Sequence, residues 1–394
     1  MNVLFVVDEF PFPSRNGVTL PVCSFIELFV EKGFRVDLLL LNITDSNAID
    51  STRLNGVVTA FAQLPLKRSG RFVGLGLELI GKSALFEAWL PRGGLIGDKL
   101  LDHYDLVWTS PIRSYGLWLK FQYILKINAN YLMAAINDSY SLTLKELSNR
   151  KANGVERLVY RCRALAMRGI EKRLLKKANF VAVQSRREID FFRELFTDGE
   201  VPDLIELKNG VATNLFHERP GSVRDLLFVG SLDDFYKSTL DWFIREVYSK
   251  MPVPRPSFLV VGKGATEDDI RKFAELSIDY LSFVEDISTF YLTSKILVAP
   301  IFKGYGTINK VIEGMAAGCV VVGDKTAFNG LENFVPKRDA LVAESSSDFL
   351  VEIMAVLADS VRANLIGSNA RKLMREDFSW NSRLAIFMDR LELL

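Results

Sequence analysis

The chain has few of the residues on which disulfide frameworks and zinc sites are built. Its 394 residues include three cysteines (Cys23, Cys162 and Cys319) and two histidines. The cysteines lie far apart in apolar or helical contexts, which predicts no disulfide framework and a reducing compartment. No zinc or other metal site is expected, because His103 and His217 have no Cys-x-x-Cys pair to join.

Long apolar runs and a strong imbalance of charge are also missing. No uninterrupted apolar run reaches about 18 residues, so we expect no membrane-spanning helix. The first residues lack a basic segment and have only a short apolar run, so we expect no signal peptide and a cytoplasmic protein. The formal net charge is +1, which argues against a globally basic protein that binds nucleic acid.

The chain is instead rich in apolar residues and shows a repeated rhythm of strands and helices. Hydrophobic residues make up 49% of the sequence, enough for two buried cores, and the length favours two domains. A strand–helix–strand unit is predicted at the start, and the rhythm begins again near residue 226. The turn signal Asn209-Gly210 lies between them. We therefore predict domains at residues 1–208 and 209–376, followed by an amphipathic helix at 377–394.

The most informative stretch runs from residue 296 to residue 318. The apolar run 296–300 predicts a buried parallel strand. Gly304 and Gly306 allow a sharp turn and a close approach to a ligand, and Thr307 suits the start of a helix. Free backbone N–H groups at such a helix start commonly bind phosphate. The alternative is an ordinary tight connection between a strand and a helix.

Polar residues follow two predicted strands of the first half. Asn137 and Asp138 come after the strand at 130–136, and Ser185 and Arg186 come after the strand at 180–184. In open α/β sheets, ligands bind outside the carboxyl ends of the strands. The alternative is that Asp138 or Ser139 caps the next helix.

Two segments of the first half combine basic and apolar residues. Residues 150–177 are predicted to be helical and contain ten basic and two acidic residues. Such a run is usually a solvated face. The alternative is a surface for anionic lipid or for a pyrophosphate-linked acceptor, where each basic residue contributes about 1 kcal/mol. Residues 62–100 are predicted to be a partly helical insertion that packs on the first domain. The alternative is a surface segment that contacts a lipid-linked or membrane-surface substrate.

Taken together, these motifs resemble the retaining GT-B glycosyltransferases of the large bacterial surface-glycan family, glycosyl transferases group 1. The resemblance is strongest over the first 40 residues and over residues 226–330. The residues that carry it are Gly304, Gly306, Thr307, Lys310, Glu313 and the closing motif Phe378-Ser379-Trp380. It implies an α/β fold of the GT-B class, with two Rossmann-like domains that face each other across a central cleft. It also implies that the C-terminal helix returns to the first domain.

The same resemblance implies roles for individual residues. Glu313 would hold the ribose hydroxyls, for which a carboxylate is a good acceptor. Lys237 would supply positive charge to the leaving group, and it joins Asn137 and Asp138 in the implied catalytic set. Asn16, Ser185 and Arg186 would lie on the acceptor side. The implied donor-binding residues are Gly17, Gly230, Ser231, Gly262, Val284, Gly304, Gly306, Thr307, Lys310 and Glu313.

The chain departs from the family pattern at three positions. Tyr305 stands where many members have a glutamate, Ser231 stands where an arginine is common, and Asn137 stands where a histidine faces the sugar. Lys237 or Lys310 would then supply the charge as point charges, without the planar fork of an arginine.

The activity that the resemblance implies is transfer of a sugar from a nucleotide diphosphate sugar to an acceptor hydroxyl, with retained configuration. The implied acceptor is a glycan or a lipid-linked molecule of bacterial surface polysaccharide or glycolipid synthesis. No cofactor is implied, because N–H groups and lysines can neutralise the diphosphate. The implied place is the cytoplasm, with peripheral attachment at the inner face of the membrane as an option. Two alternatives stay open: a non-catalytic nucleotide-sugar-binding protein of the same fold, and a nucleotide-sugar epimerase.

Overall fold

The computed structural model describes residues 1–13, 17–42, 51–54, 56–69, 85, 89–151, 153–196, 201–232, 234–303 and 307–392. The chain divides into two compact units. Unit 1 comprises Met1–Lys208 and Phe387–Leu394, and unit 2 comprises Asn209–Ile386. No helix in the described residues is long and apolar enough to cross a membrane.

Unit 1 is built on a mainly parallel sheet. Its strands are β1 (Asn2–Val7), β2 (Arg35–Asn42), β3 (Ala60–Arg68), β4 (Trp89–Pro91), β5 (Ile96–Gly97), β6 (His103–Ser110), β7 (Asn128–Ala135), β8 (Phe180–Val183) and β9 (Asp203–Glu206). Its helices are α1 (Thr19–Glu31), α2 (Ile112–Leu125), α3 (Tyr140–Arg150), α4 (Gly154–Leu175) and α5 (Arg186–Leu195), with a 3-10 turn at Ser51–Leu54. The strand order is β4-β3-β2-β1-β6-β7-β8-β9, and β5 also pairs with β3. Only β4 and β5 run antiparallel to their described neighbour.

The strands and helices of unit 1 follow local sequence signals. Serine or asparagine caps the starts of α3, α4 and α5, where a side-chain oxygen accepts a bond from a first-turn N–H. In the core, the ring of Trp108 on β6 stacks on Phe5 and packs edge-on against Phe29 and Phe387. Burial of each large apolar side chain of this kind contributes about 1.5 to 3 kcal/mol.

The predicted, partly helical insertion at residues 62–100 is mainly strand in the parts that the structure describes, where Leu85 is the one helical residue. These residues form the end of β3 and all of β4 and β5. Buried and half-buried residues alternate along most of β3, which is the period of a strand rather than of a helix. Residues 70–84 and 86–88 lie outside the described residues.

Unit 2 is built on a second sheet, in which all described pairs are parallel. Its strands are β10 (Arg224–Val229), β11 (Phe258–Val261), β12 (Ile278–Leu281), β13 (Ser294–Ala299), β14 (Val320–Gly323) and β15 (Leu341–Val342). Its helices are α6 (Asp234–Glu246), α7 (Glu267–Glu275), α8 (Ser288–Leu292), α9 (Asn309–Ala316), α10 (Ser346–Ala358) and α11 (Ser360–Asp377), with 3-10 turns at Thr213–Phe216, Tyr248–Lys250 and Lys325–Phe328. The last helix, α12 (Trp380–Glu392), contributes residues to both units.

The order of strands in unit 2 fixes where a ligand would bind. The order is β12-β11-β10-β13-β14-β15, so the chain reverses its direction of winding between β10 and β13. Apolar side chains fill both faces of this sheet, as expected for parallel strands covered by helices. Ligands of doubly wound sheets bind at the carboxyl ends of the strands that flank such a reversal. In unit 1 the equivalent reversal lies between β1 and β6.

Candidate active site

Two predicted glycines lie at the carboxyl ends of neighbouring strands in unit 2. Gly230 follows β10 and Gly262 follows β11, and the Gly230 N–H donates to the Val261 carbonyl at 2.9 Å. A Cβ on Gly262 would overlap with the Gly230 carbonyl oxygen, and a Cβ on Gly230 would lie 2.6 Å from the Lys310 Nζ. Gly262 therefore needs glycine because of backbone packing, whereas a side chain at Gly230 would displace the Lys310 ammonium. Ser231, which follows Gly230, is exposed.

Lys310 brings a positive charge to the same end of the sheet. It lies on α9, and its Nζ is 3.5 Å from the centre of the Tyr236 ring and 5.5 Å from the centre of the Phe228 ring. Contacts between an ammonium group and aromatic faces stabilise the charge, by about 2 kcal/mol when they are shielded from water. The cation is thus held beside Gly230 by aromatic side chains.

Glu313 lies one turn further along α9 and is half-buried. Its Oε2 accepts a hydrogen bond from the Tyr291 hydroxyl at 3.0 Å, and its Oε1 has no hydrogen bond to any residue that the structure describes. Burial raises the pKa of this carboxyl, while the Tyr291 hydrogen bond and the Lys310 charge act in the opposite direction. Tyr291 was not predicted, because it lies in the short helix α8 and belongs to no motif.

The start of α9 differs in detail from the prediction. The N-cap is Ile308 rather than Thr307, and no side chain caps the first turn there. The Thr307 Oγ1 is instead buried and has no hydrogen-bond partner among the described residues. Asn309, the first helical residue, accepts a hydrogen bond from the Asn209 side chain at 2.9 Å. The predicted residues Gly304 and Gly306 lie outside the described residues.

Lys237 is ion-paired within unit 2. It lies on α6, and its ammonium contacts the carboxylate of Asp269, which also forms a capping box with Thr266 at the start of α7. Burial of Asp269 works to raise its pKa, but the hydrogen bonds from Lys237 and Thr266 prevail and lower it to about 2. Lys237 therefore remains partly exposed but is already paired.

The predicted donor-binding residue Val284 lies next to an exposed aromatic ring. Val284 is half-buried against the core of unit 2. The neighbouring Phe283 is 63% exposed, and the Nζ of Lys263 lies 4.8 Å from the centre of its ring. The Tyr280 hydroxyl donates to the Gly262 carbonyl at 2.9 Å. An exposed ring beside a glycine turn can stack on a flat heterocycle.

In unit 1, Asn137 has a left-handed backbone, with φ of 58°. Its Oδ1 accepts a hydrogen bond from the Ser110 hydroxyl at 3.2 Å, and its Nδ2 is buried and has no partner within the described residues. Asp138 and Gly17 are exposed. Asn16 lies outside the described residues.

Two buried carboxylates, Glu188 and Glu171, hold the predicted acceptor-side loop. Glu188 accepts hydrogen bonds from the Ser139 N–H and the Ser185 hydroxyl, both at 3.0 Å. Glu171 accepts hydrogen bonds from the hydroxyls of Ser139 and Ser141. Burial raises the pKa of Glu188 to about 7, against the lowering effect of these hydrogen bonds. The Ser-x-x-Glu spacing of 185–188, typical of a capping box, is the signal that could have found Glu188.

Two further side chains at this end of unit 1 were not predicted. Asp8, just after β1, is buried and forms an ion pair with Arg113 of α2. Burial raises the pKa of Asp8, although the Arg113 charge lowers it. The last predicted residue, Arg186, is exposed and lies 3.6 Å from the Asp190 carboxylate.

The described residues contain no group of three or more histidine, cysteine, aspartate or glutamate side chains that could hold a metal ion. The groups of unit 2 that could bind a small molecule are the Lys310 ammonium, the Glu313 carboxylate, the Thr307 hydroxyl and the first N–H groups of α9. Such a set suits a molecule with both anionic oxygens and hydroxyl donors.

Comparison with known proteins finds a matching family model. Residues 223–360 match the model of the family glycosyl transferases group 1. No curated protein matches the chain.

Solved structures resemble the whole chain. Sucrose-phosphate synthase from Thermosynechococcus elongatus has 17% identity and a TM-score of 0.61, covering 99% of this chain and 98% of that one. HepE of Anabaena in complex with UDP and glucose has 13% identity and a TM-score of 0.63, covering 100% and 99%. The pneumococcal O-GlcNAc transferase GtfA in complex with UDP and GlcNAc has 10% identity and a TM-score of 0.64, covering 100% and 98%. The predicted α/β fold of the GT-B class is thus confirmed.

Proposed function

From the premise that residues 223–360 belong to the family glycosyl transferases group 1, we propose that the chain transfers a sugar from a nucleotide diphosphate sugar to an acceptor hydroxyl. Two of the similar structures hold UDP with a sugar, which supports UDP as the first nucleotide to test. The donor is a co-substrate, and the proposal requires no further cofactor.

The observation that carries the proposal is the set of unsatisfied polar groups around α9. Thr307 has a buried hydroxyl without a partner, and one carboxylate oxygen of Glu313 is unpaired among the described residues. Buried polar groups are nearly always hydrogen-bonded in folded proteins. Both groups lie at the switch point of the unit 2 sheet, which is where a ligand of this fold binds.

Each group has a role that follows from its chemistry. The Glu313 carboxylate accepts hydrogen bonds from the two ribose hydroxyls. Thr307 and the uncapped N–H groups of α9 bind the diphosphate, which the positive end of the helix dipole also favours. Lys310 lies too deep among aromatic rings to move far, so it adds fixed positive potential. Phe283 and Val284 contact the base.

The reaction itself depends on charge at the leaving diphosphate. As the bond to the sugar breaks, negative charge grows on the diphosphate, and the groups around α9 stabilise it. We assign Lys237 to the same task and Asn137 and Asp138 to the neighbourhood of the sugar. The transfer proceeds with retention, and residues 1–208 form the acceptor side while residues 209–376 bind the donor.

The test is a thermal-shift screen with UDP, GDP, dTDP and CDP on the wild type and on Glu313→Ala. We expect one nucleotide to raise the melting temperature of the wild type. Loss of the carboxylate removes hydrogen bonds to a charged group, about 1.5 to 3 kcal/mol each, so the affinity should fall by about 10- to 100-fold.

Glu275→Ala is the matched control, because Glu275 is an exposed glutamate at the end of α7 and should leave the shift unchanged. A shift that survives in Glu313→Ala would contradict the role of this carboxylate. Nucleotide binding without turnover across donors and acceptors would indicate the binding protein. Turnover of a nucleotide sugar without acceptor would indicate the epimerase. NMR of the anomeric proton in the product tests retention.

For the acceptor, we propose a glycan or lipid-linked molecule of bacterial surface polysaccharide or glycolipid synthesis, used in the cytoplasm at the inner face of the membrane. The support is the outer face of α4. Val155, Leu158 and Val159 are 72%, 63% and 49% exposed, and they recur at helical spacing on the side opposite the buried Ala164. Arginines flank this stripe, so an anionic bilayer fits both its apolar centre and its charge.

Liposome flotation tests the membrane proposal. We expect the wild type to float with vesicles that contain phosphatidylglycerol and not with phosphatidylcholine alone. The double substitution Leu158→Gln and Val159→Gln should abolish flotation, while Val351→Gln and Leu365→Gln, which change exposed side chains of unit 2, should not. Flotation that is the same for both double variants would contradict the role of α4.

A further inference from the structure

A cavity of about 350 Å³ lies within unit 1, between α3, α4 and α5. It lies outside the proposed donor site, which belongs to unit 2. The residues that line it are Ser141, Lys145, Ser148, Asn149, Arg161, Ala164, Leu165, Arg168 and Phe191. The list combines an apolar wall with three cations, and no acidic residue is among the described lining residues.

The apolar wall is formed by the side chains of Ala164, Leu165 and Phe191. Ala164 is buried, whereas Leu165 is 69% exposed although it lines the cavity. The Arg168 guanidinium lies 5.6 Å from the centre of the Phe191 ring, so one cation is held against the wall by a cation–π contact. A hydrocarbon chain that covers Leu165 and Phe191 would remove its own apolar surface and theirs from water. The free energy of binding becomes more favourable with the apolar area that is buried.

The three cations form no ion pair within the described residues, unlike some basic residues nearby. Arg187 pairs with Glu146, and Lys151 pairs with Glu156 at 3.2 Å. Lys145 and Arg161 are both exposed, and neither forms an ion pair within the described residues. Positive charge without a local counter-ion attracts an anion from solution.

The buried Glu171 carboxylate does not pair with these cations. Ser141 lines the cavity, but its hydroxyl donates to the carboxylate of Glu171, which is buried beneath α3 and also bonded to Ser139. Burial raises the pKa of Glu171, and its oxygens accept hydrogen bonds from the serines rather than from the three cations. The cavity therefore presents cations above an apolar wall with its internal polar atoms already bonded.

We propose that this cavity binds a phosphate group that carries a hydrocarbon chain. The cations take the phosphate, for which arginine has a fork of N–H donors and lysine a point charge. The chain lies on Leu165 and Phe191. Two sources share this chemistry: a phospholipid of the bilayer and a lipid-linked phosphate.

Binding is measured by isothermal titration with monomeric ligands, which keeps the test independent of membranes and of sugar transfer. The probes are dihexanoyl phosphatidylglycerol below its micelle concentration, geranyl phosphate, neutral geraniol and inorganic phosphate. We expect at least one phosphate amphiphile to bind tenfold more tightly than geraniol and inorganic phosphate. Binding of phosphatidylglycerol alone supports the site with a bilayer source, and binding of geranyl phosphate alone supports it with a lipid-linked source.

The test variant is the double substitution Lys145→Gln and Arg168→Gln, which should weaken binding by at least tenfold. The control is Arg163→Gln with Arg173→Gln. It removes the same charge from exposed positions of α4 outside the cavity and should change the affinity less than twofold. Circular dichroism melting checks that both variants are folded.

Three outcomes would overturn the proposal: no binding of either amphiphile, equal binding of inorganic phosphate, or equal weakening in the two variants. None of these outcomes depends on nucleotide binding in unit 2, so failure of the cavity proposal is distinct from failure of the proposed transferase activity.

Discussion

The carboxyl ends of the two sheets treat their polar side chains differently. In unit 1 the carboxylates are paired internally: Asp8 pairs with Arg113, and Glu188 accepts hydrogen bonds from Ser139 and Ser185. The neutral Asn137 Nδ2 at this end has no partner among the described residues, so the contrast with unit 2 concerns the carboxylates. In unit 2, the Thr307 hydroxyl has no partner among the described residues and Glu313 uses one oxygen of two. Internal pairing makes a region rigid, whereas an unsatisfied group at a strand end has a hydrogen bond left for a ligand. The difference supports unit 2 as the part that binds the charged donor.

The largest effect on stability is expected from Gly262→Ala, which changes the packing at the carboxyl end of the unit 2 sheet. The new Cβ would overlap with the Gly230 carbonyl oxygen, a backbone atom that cannot rotate away. Overpacking of this kind costs about 3 kcal/mol or more. Urea unfolding should show that loss, and nucleotide-induced stabilisation should vanish with it.

The control for Gly262→Ala is Gly169→Ala in the interior of α4, where a Cβ meets nothing within 4 Å. Alanine in an open helix position should stabilise the protein by about 0.5 to 1 kcal/mol. Equal stability of Gly262→Ala and the wild type would show that the close approach of the two strand ends is not a constraint.

The internal pairing of unit 1 predicts a dependence on pH. The pKa of Glu188 is raised to about 7, so the folded protein keeps a proton that the unfolded chain has lost between about pH 4.5 and 7. Stability should therefore fall as the pH rises through this window, by about 3 kcal/mol, because the pKa rises from 4.5 to about 7 and each pKa unit corresponds to about 1.36 kcal/mol. Glu188→Gln should flatten the fall, which hydrogen exchange of peptides from α5 and β8 would measure.

Glu275→Gln serves as the control for Glu188→Gln, because the exposed Glu275 lies in unit 2. Its exchange profile with pH should follow the wild type. An unchanged pH slope in Glu188→Gln would mean that other groups carry the dependence. Asp8 and Glu171, whose pKa values are raised by burial, would then be the next to change.

Tyr291→Phe tests whether the Tyr291 hydroxyl positions the Glu313 carboxylate of unit 2 for the nucleotide. The substitution leaves the buried ring in place but removes the donor at 3.0 Å from Glu313. A carboxylate that loses one hydrogen bond is less well oriented and more readily protonated, so the nucleotide affinity should fall by about 10-fold, or about 1.4 kcal/mol. Titration with the nucleotide found in the screen measures it, with Tyr123→Phe as a control at an exposed position. Equal affinity in the two variants would contradict a positioning role for Tyr291.

Periodicity and glycine positions were sufficient to predict the fold class, whereas the roles of the site residues stay predictions. Apolar runs with β-branched residues predict parallel strands, and Gly262 is fixed by backbone packing that any residue with a Cβ would break. The same reasoning could not find Tyr291 or Asp8, because their roles come from partners far away in sequence. It also misplaced the start of α9 and missed strands β3 to β5. Of these, β4 and β5 have three and two residues, too few to show a period.

Lys237→Gln should have the smallest effect on stability. A change in its activity would therefore report on the proposed catalytic role of Lys237 and not on unfolding. The Lys237 side chain is one-third exposed and paired with Asp269, and exposed pairs contribute less than about 1 kcal/mol. Asp269 would keep its bonds to Thr266, so α7 stays capped. If the ammonium moves to the leaving diphosphate, kcat should fall by about 100-fold with little change in KM. The control Lys272→Gln removes an exposed lysine of the same unit. Equal kcat in the two variants would assign Lys237 to the α6–α7 contact and leave the helix start of α9 as the source of charge stabilisation.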